Sequence, residues 1–367
     1  MKIGSVDRFF FILVVTIVIA GLFAFVSASL GVLAKDQSKF YSILTKQIAL
    51  GLVGGSLALF LVQKIHYKFW RNNSLWIFLG CIVLTLLVFI PQLTYEHGGA
   101  RRWVDIGFIS FQPAELLKFG FVLYFAAWLA SVKGKLHDVK FSIIPLIVLL
   151  GIVSLLLLKQ PDTKSLILII ISALGMLLVA GVPWKYIFGV IGISVIALGG
   201  LVMAKPYLLD RVQTFINPSH DPRGSSYQLR QSLIAIGSGG MFGRGYGQSI
   251  QKFSYLPEPQ GDSIFAVIGE EVGFIGSVIV IILYLLFTLR GFRIAVRSPD
   301  QFSRILVTGI ILMMAAQSFL NIASIIGVFP LTGVPLVFMS HGGTSLLISL
   351  AAIGIVLNIS KYQHADE

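Results

Sequence analysis

A single cysteine, Cys81, occurs among 367 residues, so no internal disulfide can form. It lies in an apolar run, where a small packing residue is expected. Charge is scarce too. Asp, Glu, Lys and Arg make up 12% of the chain, about half the soluble average of roughly 25%. Acidic residues are the rarer kind, 16 against 28 basic, which leaves a formal charge of +12. So little charge cannot cover the water-facing surface of a soluble chain this long, and counting soluble domains by length does not apply. No internal repeat or low-complexity tract is evident. The six histidines show no metal-ligand spacing, and no Ser-His-Asp or Cys-His set can be assigned.

What the chain has is apolar length. Hydrophobic residues make up 56% and the mean hydropathy is +0.89. Runs of about 20 apolar residues, enough to cross a bilayer, recur throughout. They fall at about 9–33, 44–63, 74–91, 113–132, 141–158, 165–182, 186–204, 264–289, 305–326 and 336–359. The expected fold is therefore an all-α membrane protein of ten transmembrane helices, a single bundle over 1–367. The apolar run after Arg8 reaches about Leu33, longer than a signal-peptide core of roughly 7–15 residues, and reads as an uncleaved first helix.

An even helix count puts both termini on one side. Lys and Arg in the short loops divide 14 to 7 in favour of the side carrying the termini, which makes that side cytoplasmic by the positive-inside rule. The basic residues sit in inter-helix loops, so anionic lipid headgroups are the expected partner rather than nucleic acid. Two outer loops are long, at about 92–112 and 205–263 between helices seven and eight. The second exceeds what a connection needs and holds an amphipathic stretch, SSYQLRQSLIAIGSGG, suited to the membrane surface. The working face is expected outside the cytoplasm.

Several charged residues stand where charge is costly. In FQPAELLKFGF, Pro113 suits a first helical turn, and Glu115 and Lys118 follow at i and i+3 on one face. They read as a structural ion pair or as a polar cavity wall. Arg101 and Arg102, with Asp105, precede that helix; two outer arginines can fork onto a phosphate or simply meet headgroups. Asp162 in QPDTKS reads as a helix cap or a site residue. The stretch GSGGMFGRGYGQS, 237–249, lacks the GK[ST] ending of a phosphate loop and reads as a tight backbone passage displaying Arg244. Asp262 follows the proline-rich YLPEPQG and precedes an apolar run. It reads either as a cap for the helix near Ser263 or as a general base whose pKa is raised by burial or by Glu270 and Glu271. Those two glutamates are alternatively partners for Lys118 or an arginine.

Taken in order, GARRWVDIGFISFQPAELLKF, QPD, YQLRQSLIAIGSGGMFGRGYGQSIQKFSYLPE, DSIFAVIGEEVGFIG and PLTGVPLVFMSHGGTSLL resemble the SEDS family (shape, elongation, division and sporulation) along essentially the whole chain. FtsW and RodA are its best-known members, and VSAS at 26–29 with the long QSIQKFSYLPE run leans toward FtsW, the division member. The resemblance implies a peptidoglycan glycosyltransferase of the bacterial cytoplasmic membrane that polymerises lipid II, a disaccharide-pentapeptide on undecaprenyl pyrophosphate, at the outer face. It implies a class B penicillin-binding protein as partner, with other divisome or elongasome proteins. By motif, Asp262 matches the essential loop aspartate, and Glu115 and Lys118 match the fourth-helix ion pair. The chain departs from the family pattern at Gly261 and Ser263 beside the aspartate, at Lys164 where glycine is usual, and at His341 where tyrosine is usual.

The chemistry expected is attack of a sugar hydroxyl on an anomeric carbon bearing a lipid pyrophosphate. Asp262 would be the base. Arg101, Arg102, Lys118 and Arg244 would offset the leaving charge, with Asp162, Glu115 and Glu271 on the cavity walls. A divalent cation, Mg or Mn, bridging carboxylates and pyrophosphate would also suit. The rival readings are a lipid II flippase and a scaffold for the penicillin-binding protein.

Overall fold

The computed structural model describes residues 4–97, 100–105, 107, 110–217 and 226–363. Ten apolar helices appear among them, close to the expected segments. They are α1 (Arg8–Leu33), α2 (Gln37–Lys64), α3 (Ser74–Phe89), α4 (Pro113–Ser131), α5 (Val139–Lys159), α6 (Thr163–Ala180), α7 (Trp184–Ala204), α10 (Ile264–Val296), α11 (Gln301–Ile325) and α12 (Gly343–Ser360). All but α3 are long and apolar enough to span a membrane by themselves. Between α7 and α10 lie α8 (Pro206–Ile216) and α9 (Tyr227–Ser238).

The two ends of the chain meet. Gly4 N donates to Lys361 O at 2.9 Å, and Asp7 N donates to Ser360 Oγ at 3.0 Å. An even number of crossings puts both ends on the same side, and packing brings them into contact. α11 lies at the centre and is mostly buried, whereas α7 is largely exposed, as a lipid-facing helix would be.

Two local features differ from the expectation. The loop after α3 folds into an antiparallel sheet of β1 (Thr94–His97), β2 (Ala100–Asp105) and β3 (Ser110–Phe111), in that order. No strand was expected there, because the loop's alternating pattern is short and shared among three pieces. The last helix begins at Gly343, not near 336; residues 330–336 form an irregular segment between α11 and α12. The amphipathic stretch forms α9, but Leu229, Ser232 and Ala235 are buried and the helix packs on α10. Leu233 and Ile234 of the same helix remain exposed.

α10 is broken. Gly273 has φ 69° and ψ −165°, outside helical space, so residues 264–272 form a half-helix ahead of the long span, buried except at Val272. Only glycine takes this φ without strain. The chain at 240–245 crosses the break and satisfies the freed groups. Phe274 N donates to Gly240 O at 2.9 Å, and Arg244 N and Gly245 N donate to Glu270 O and Glu271 O, both at 3.0 Å. Gly239 abuts Gly269 so closely that a Cβ would fall 2.0 Å from the Gly269 carbonyl oxygen. The glycine-rich stretch is therefore a close backbone passage, as expected.

Candidate active site

Asp262 opens onto a cavity of about 540 Å³ at the end of the bundle opposite the termini. Arg102, Lys164, Lys205 and Arg211 share its walls, so four cations surround one carboxylate. Each arrives from a different element: β2, the start of α6, the residue before α8, and α8 itself. Asp262 does not cap α10. The N-cap is Ser263, without a side-chain cap bond, and Ser263 Oγ accepts from Gln228 Nε2 at 3.0 Å.

Thr332 and Gly333 of the irregular segment 330–336 also line the cavity. The segment's successive carbonyls are held by side chains: Thr332 O by Arg211 Nη1 at 2.8 Å, Gly333 O by Lys164 Nζ at 2.5 Å, Val334 O by Asn321 Nδ2 at 2.7 Å and Pro335 O by Gln317 Nε2 at 3.0 Å. Asn321 Nδ2 also donates to the Asp262 carbonyl at 2.8 Å. A Cβ on Gly333 would stand 3.2 Å from Asp262 Oδ2 and 3.5 Å from Arg211 Nη2. The absent side chain leaves the space in which carboxylate and guanidinium face one another. Burial pulls the Arg211 guanidinium below its ordinary pKa and Arg102 acts the same way, while Asp262 and Tyr207 hold it up.

Arg101 and Arg102 do not share a surface. Successive strand residues point to opposite faces; Arg102 lines the cavity and Arg101 is exposed. Arg102 donates through Nε to Gln160 O at 3.0 Å and through Nη2 to Pro161 O at 2.7 Å, which spends two of its five N–H groups. Asp162 is a buried N-cap of α6, accepting from Ser165 N and Oγ and, at 2.9 Å, from Gln112 Nε2. It braces the α5–α6 junction from which Lys164 projects.

Glu115 and Lys118 pair at 2.9 Å, and both are buried. Lys118 Nζ also donates to Gln317 Oε1 at 3.0 Å, and Glu115 Oε2 accepts from Ser345 Oγ at 3.1 Å. The pair thus ties α4 to α11 and α12. Glu270 and Glu271 take other partners than Lys118. Glu270 faces Arg244 at 3.5 Å and accepts from Ser249 Oγ at 2.6 Å. Glu271 pairs with buried Lys252 at 2.6 Å and accepts from Ser27 Oγ at 2.7 Å. Neither glutamate nor Arg244 is among the cavity-lining residues. Their role is to lock the 244–252 loop onto the half-helix and α1.

Arg211, Lys205, Tyr207, Lys252, Gln317 and Asn321 were missed by sequence reasoning. Arg211 and Lys205 lay inside a loop with no pattern to single them out. Gln317 and Asn321 had a signal: two amides one turn apart in an apolar run. Among the described residues no group of three or more His, Cys, Asp or Glu converges as a metal site. A divalent ion in the cavity would have one protein carboxylate, Asp262, and would depend on substrate oxygens, as phosphate-bound Mg often does.

The family model described as the FtsW, RodA and SpoVE cell cycle proteins matches residues 7–365. Stage V sporulation protein E of Bacillus subtilis is 37% identical over 310 residues, 84% of each chain. A probable peptidoglycan glycosyltransferase FtsW of Geobacter sp. is 34% identical over 362 residues, 98% of each chain. Among solved structures, a chain from a study of polymerization and crosslinking by a peptidoglycan synthase complex matches with a TM-score of 0.80, 28% identity and 99% coverage of both chains. The rod shape determining protein RodA of Thermus thermophilus matches with a TM-score of 0.68, 26% identity and the same coverage.

Proposed function

The chain belongs to the FtsW, RodA and SpoVE family of cell cycle proteins, and from that premise we propose that it is a multi-pass membrane glycosyltransferase that polymerises lipid II into peptidoglycan strands at the outer face of the cytoplasmic membrane. One observation carries the reading: a single carboxylate, Asp262, faces four cations in a cavity at the loop-rich end of the bundle. The reaction needs a base for an attacking sugar hydroxyl and positive charge for a departing pyrophosphate. Asp262 accepts the proton, with inversion at the anomeric carbon. Arg102, Lys164 and Arg211, fixed to backbone carbonyls, offer cations that need little reorganisation as charge develops on the leaving group. Lys164, a departure from the family pattern, adds to this set.

Glu115 and Lys118 serve architecture in this reading, because Gln317 and Ser345 complete their hydrogen bonding. A class B penicillin-binding protein is the proposed partner, supported by the likeness to a synthase-complex chain. The test is polymerisation of labelled lipid II by purified protein, alone and with that partner. Asp262→Asn should lower the rate by about 10²–10⁴-fold, the worth of a general base. Equal activity of the two proteins removes Asp262 as base. Absence of activity in wild type with partner and divalent metal present, together with lipid II flipping in vesicles, turns the reading toward transport.

A further inference from the structure

The backbone that carries Asp262 is held at three successive carbonyls. Gln260 O accepts from His341 N at 2.7 Å, Gly261 O from Ser340 Oγ at 2.7 Å, and Asp262 O from Asn321 Nδ2 at 2.8 Å. Two of these three donors belong to one short turn, residues 340–342, immediately ahead of α12. Pro257 and Pro259 fix their own φ angles but have no N–H to donate, so the approach to Asp262 leans on bonds from other elements. The aspartate is placed only as firmly as the turn that grips its loop.

The turn is gripped in its own right by a side chain of α2. Gly342 N donates to Gln47 Oε1 at 3.0 Å, and Gln47 Nε2 points back at Ser340 O, 3.5 Å away. Gln47 is 3% exposed, and both ends of its amide face the same turn. It does not line the cavity that holds Asp262. Its route to the carboxylate runs through Gly342 and Ser340.

The helix around Gln47 is unusual. From Gln47 to Gly54, α2 widens into a π-helix, a rare form found most often at functional sites. The widened backbone meets the start of α12 with no side chain between them. A Cβ on Gly343 would fall 2.6 Å from Lys46 O, and one on Gly51 would fall 3.2 Å from Gly343 Cα. Backbones this close leave the Gln47 amide no room to slide along the turn.

α2 and α12 also touch without Gln47. Further along the pair, Gly55 and Gly354 allow close approach: an added Cβ would fall 2.7 Å from Leu350 Cδ1 at the first and from Leu59 O at the second. Packing joins these two helices, and Gln47 spends its hydrogen bonds on the turn instead.

We propose that Gln47 is a positioning residue for polymerisation, setting the place of Asp262 through the 340–342 turn. The inference rests on the reading of Asp262 as the base. Gln47 holds Gly342 and Ser340, residues 340 and 341 hold the carbonyls of Gln260 and Gly261, and the carboxylate follows.

The test measures lipid II polymerisation by the full chain with its penicillin-binding partner, normalised to folded protein by thermal melting. Gln47→Met keeps the volume and the helix preference and removes both hydrogen-bonding groups. It should lower kcat by about tenfold with KM for lipid II within about twofold, as a small displacement of the base would. Gln47→Glu retains an oxygen for Gly342 N and should stay within about threefold of wild type, because that bond is the shorter of the two. In an Asp262→Asn background, Gln47→Met should lower the residual rate no further, since residues acting through one group are not additive. A wild-type rate in Gln47→Met overturns the inference. So does an equal loss in Gln47→Glu, or a tenfold loss that persists without the base, for each assigns Gln47 a structural role. Asp262→Asn at the wild-type rate fails differently: the catalytic reading falls, and Gln47 has no base to position.

Discussion

Gln317 and Asn321, one turn apart on α11, hold the two polar centres of the molecule to one strip of backbone. Gln317 accepts from Lys118 Nζ and donates to Pro335 O, both at 3.0 Å. Asn321 donates to Asp262 O at 2.8 Å and to Val334 O at 2.7 Å. The Glu115–Lys118 pair and the Asp262 loop therefore share a support, and a shift in the 330–336 segment moves both.

Asn321→Leu should leave Asp262 present but misplaced. Loss of both anchors predicts a fall in kcat on the order of 10²-fold, the scale of an ångström-level displacement, with KM for lipid II little changed. Steady-state polymerisation kinetics, normalised to folded protein by thermal melting, check this. A change in KM alone would contradict a positioning role.

Lys118→Met should destabilise the protein by about 3–5 kcal/mol, because it leaves Glu115 buried without its counter-charge. Replacing both, as Glu115→Gln with Lys118→Met, should recover much of that loss, since no uncompensated charge remains. Thermal melting of the three variants in one detergent measures the coupling. If the double variant is as unstable as the sum of the singles, the two residues are not acting as a pair.

Gly333→Ala should abolish most activity with a modest effect on folding. Its φ is +65° and its Cβ would lie 3.2 Å from Asp262 Oδ2, so the methyl group occupies the reaction space and strains the backbone. A fall in kcat/KM of about tenfold or more is expected, by the cost of disturbing near-attack geometry. Polymerisation beside thermal melting separates lost chemistry from lost fold.

His341 stacks on Phe25 with ring centres 6.0 Å apart, and burial, with help from Lys46, depresses its pKa to about 4 from 6.5. The unfolded chain then takes up the proton more readily than the folded one. His341 therefore contributes full stability above about pH 6.5, and that contribution is lost as pH falls toward 4. His341→Tyr, which restores the residue usual in the family, should flatten the melting temperature between pH 6.5 and 4.5. An unchanged slope would mean that other groups set the acid limit.

The interior of the helix bundle was legible because its signals are local. Apolar length alone predicts ten spans, their even number puts the two ends on one side, and the i, i+3 spacing of Glu115 and Lys118 forces them onto one helical face. Asp262 could be singled out as a candidate from the resemblance and from its place after a proline-rich loop. Its surroundings could not. Arg102, Lys164 and Arg211 converge on one cavity from β2, α6 and α8, and no periodicity relates them. Likewise Glu271 takes Lys252 rather than Lys118, because the break at Gly273 turns the half-helix toward the 244–252 loop. A chain's pattern decides which residues share a face of one element. Which elements face each other is decided by how those faces pack, and in this molecule the residues of the proposed site come from separate elements.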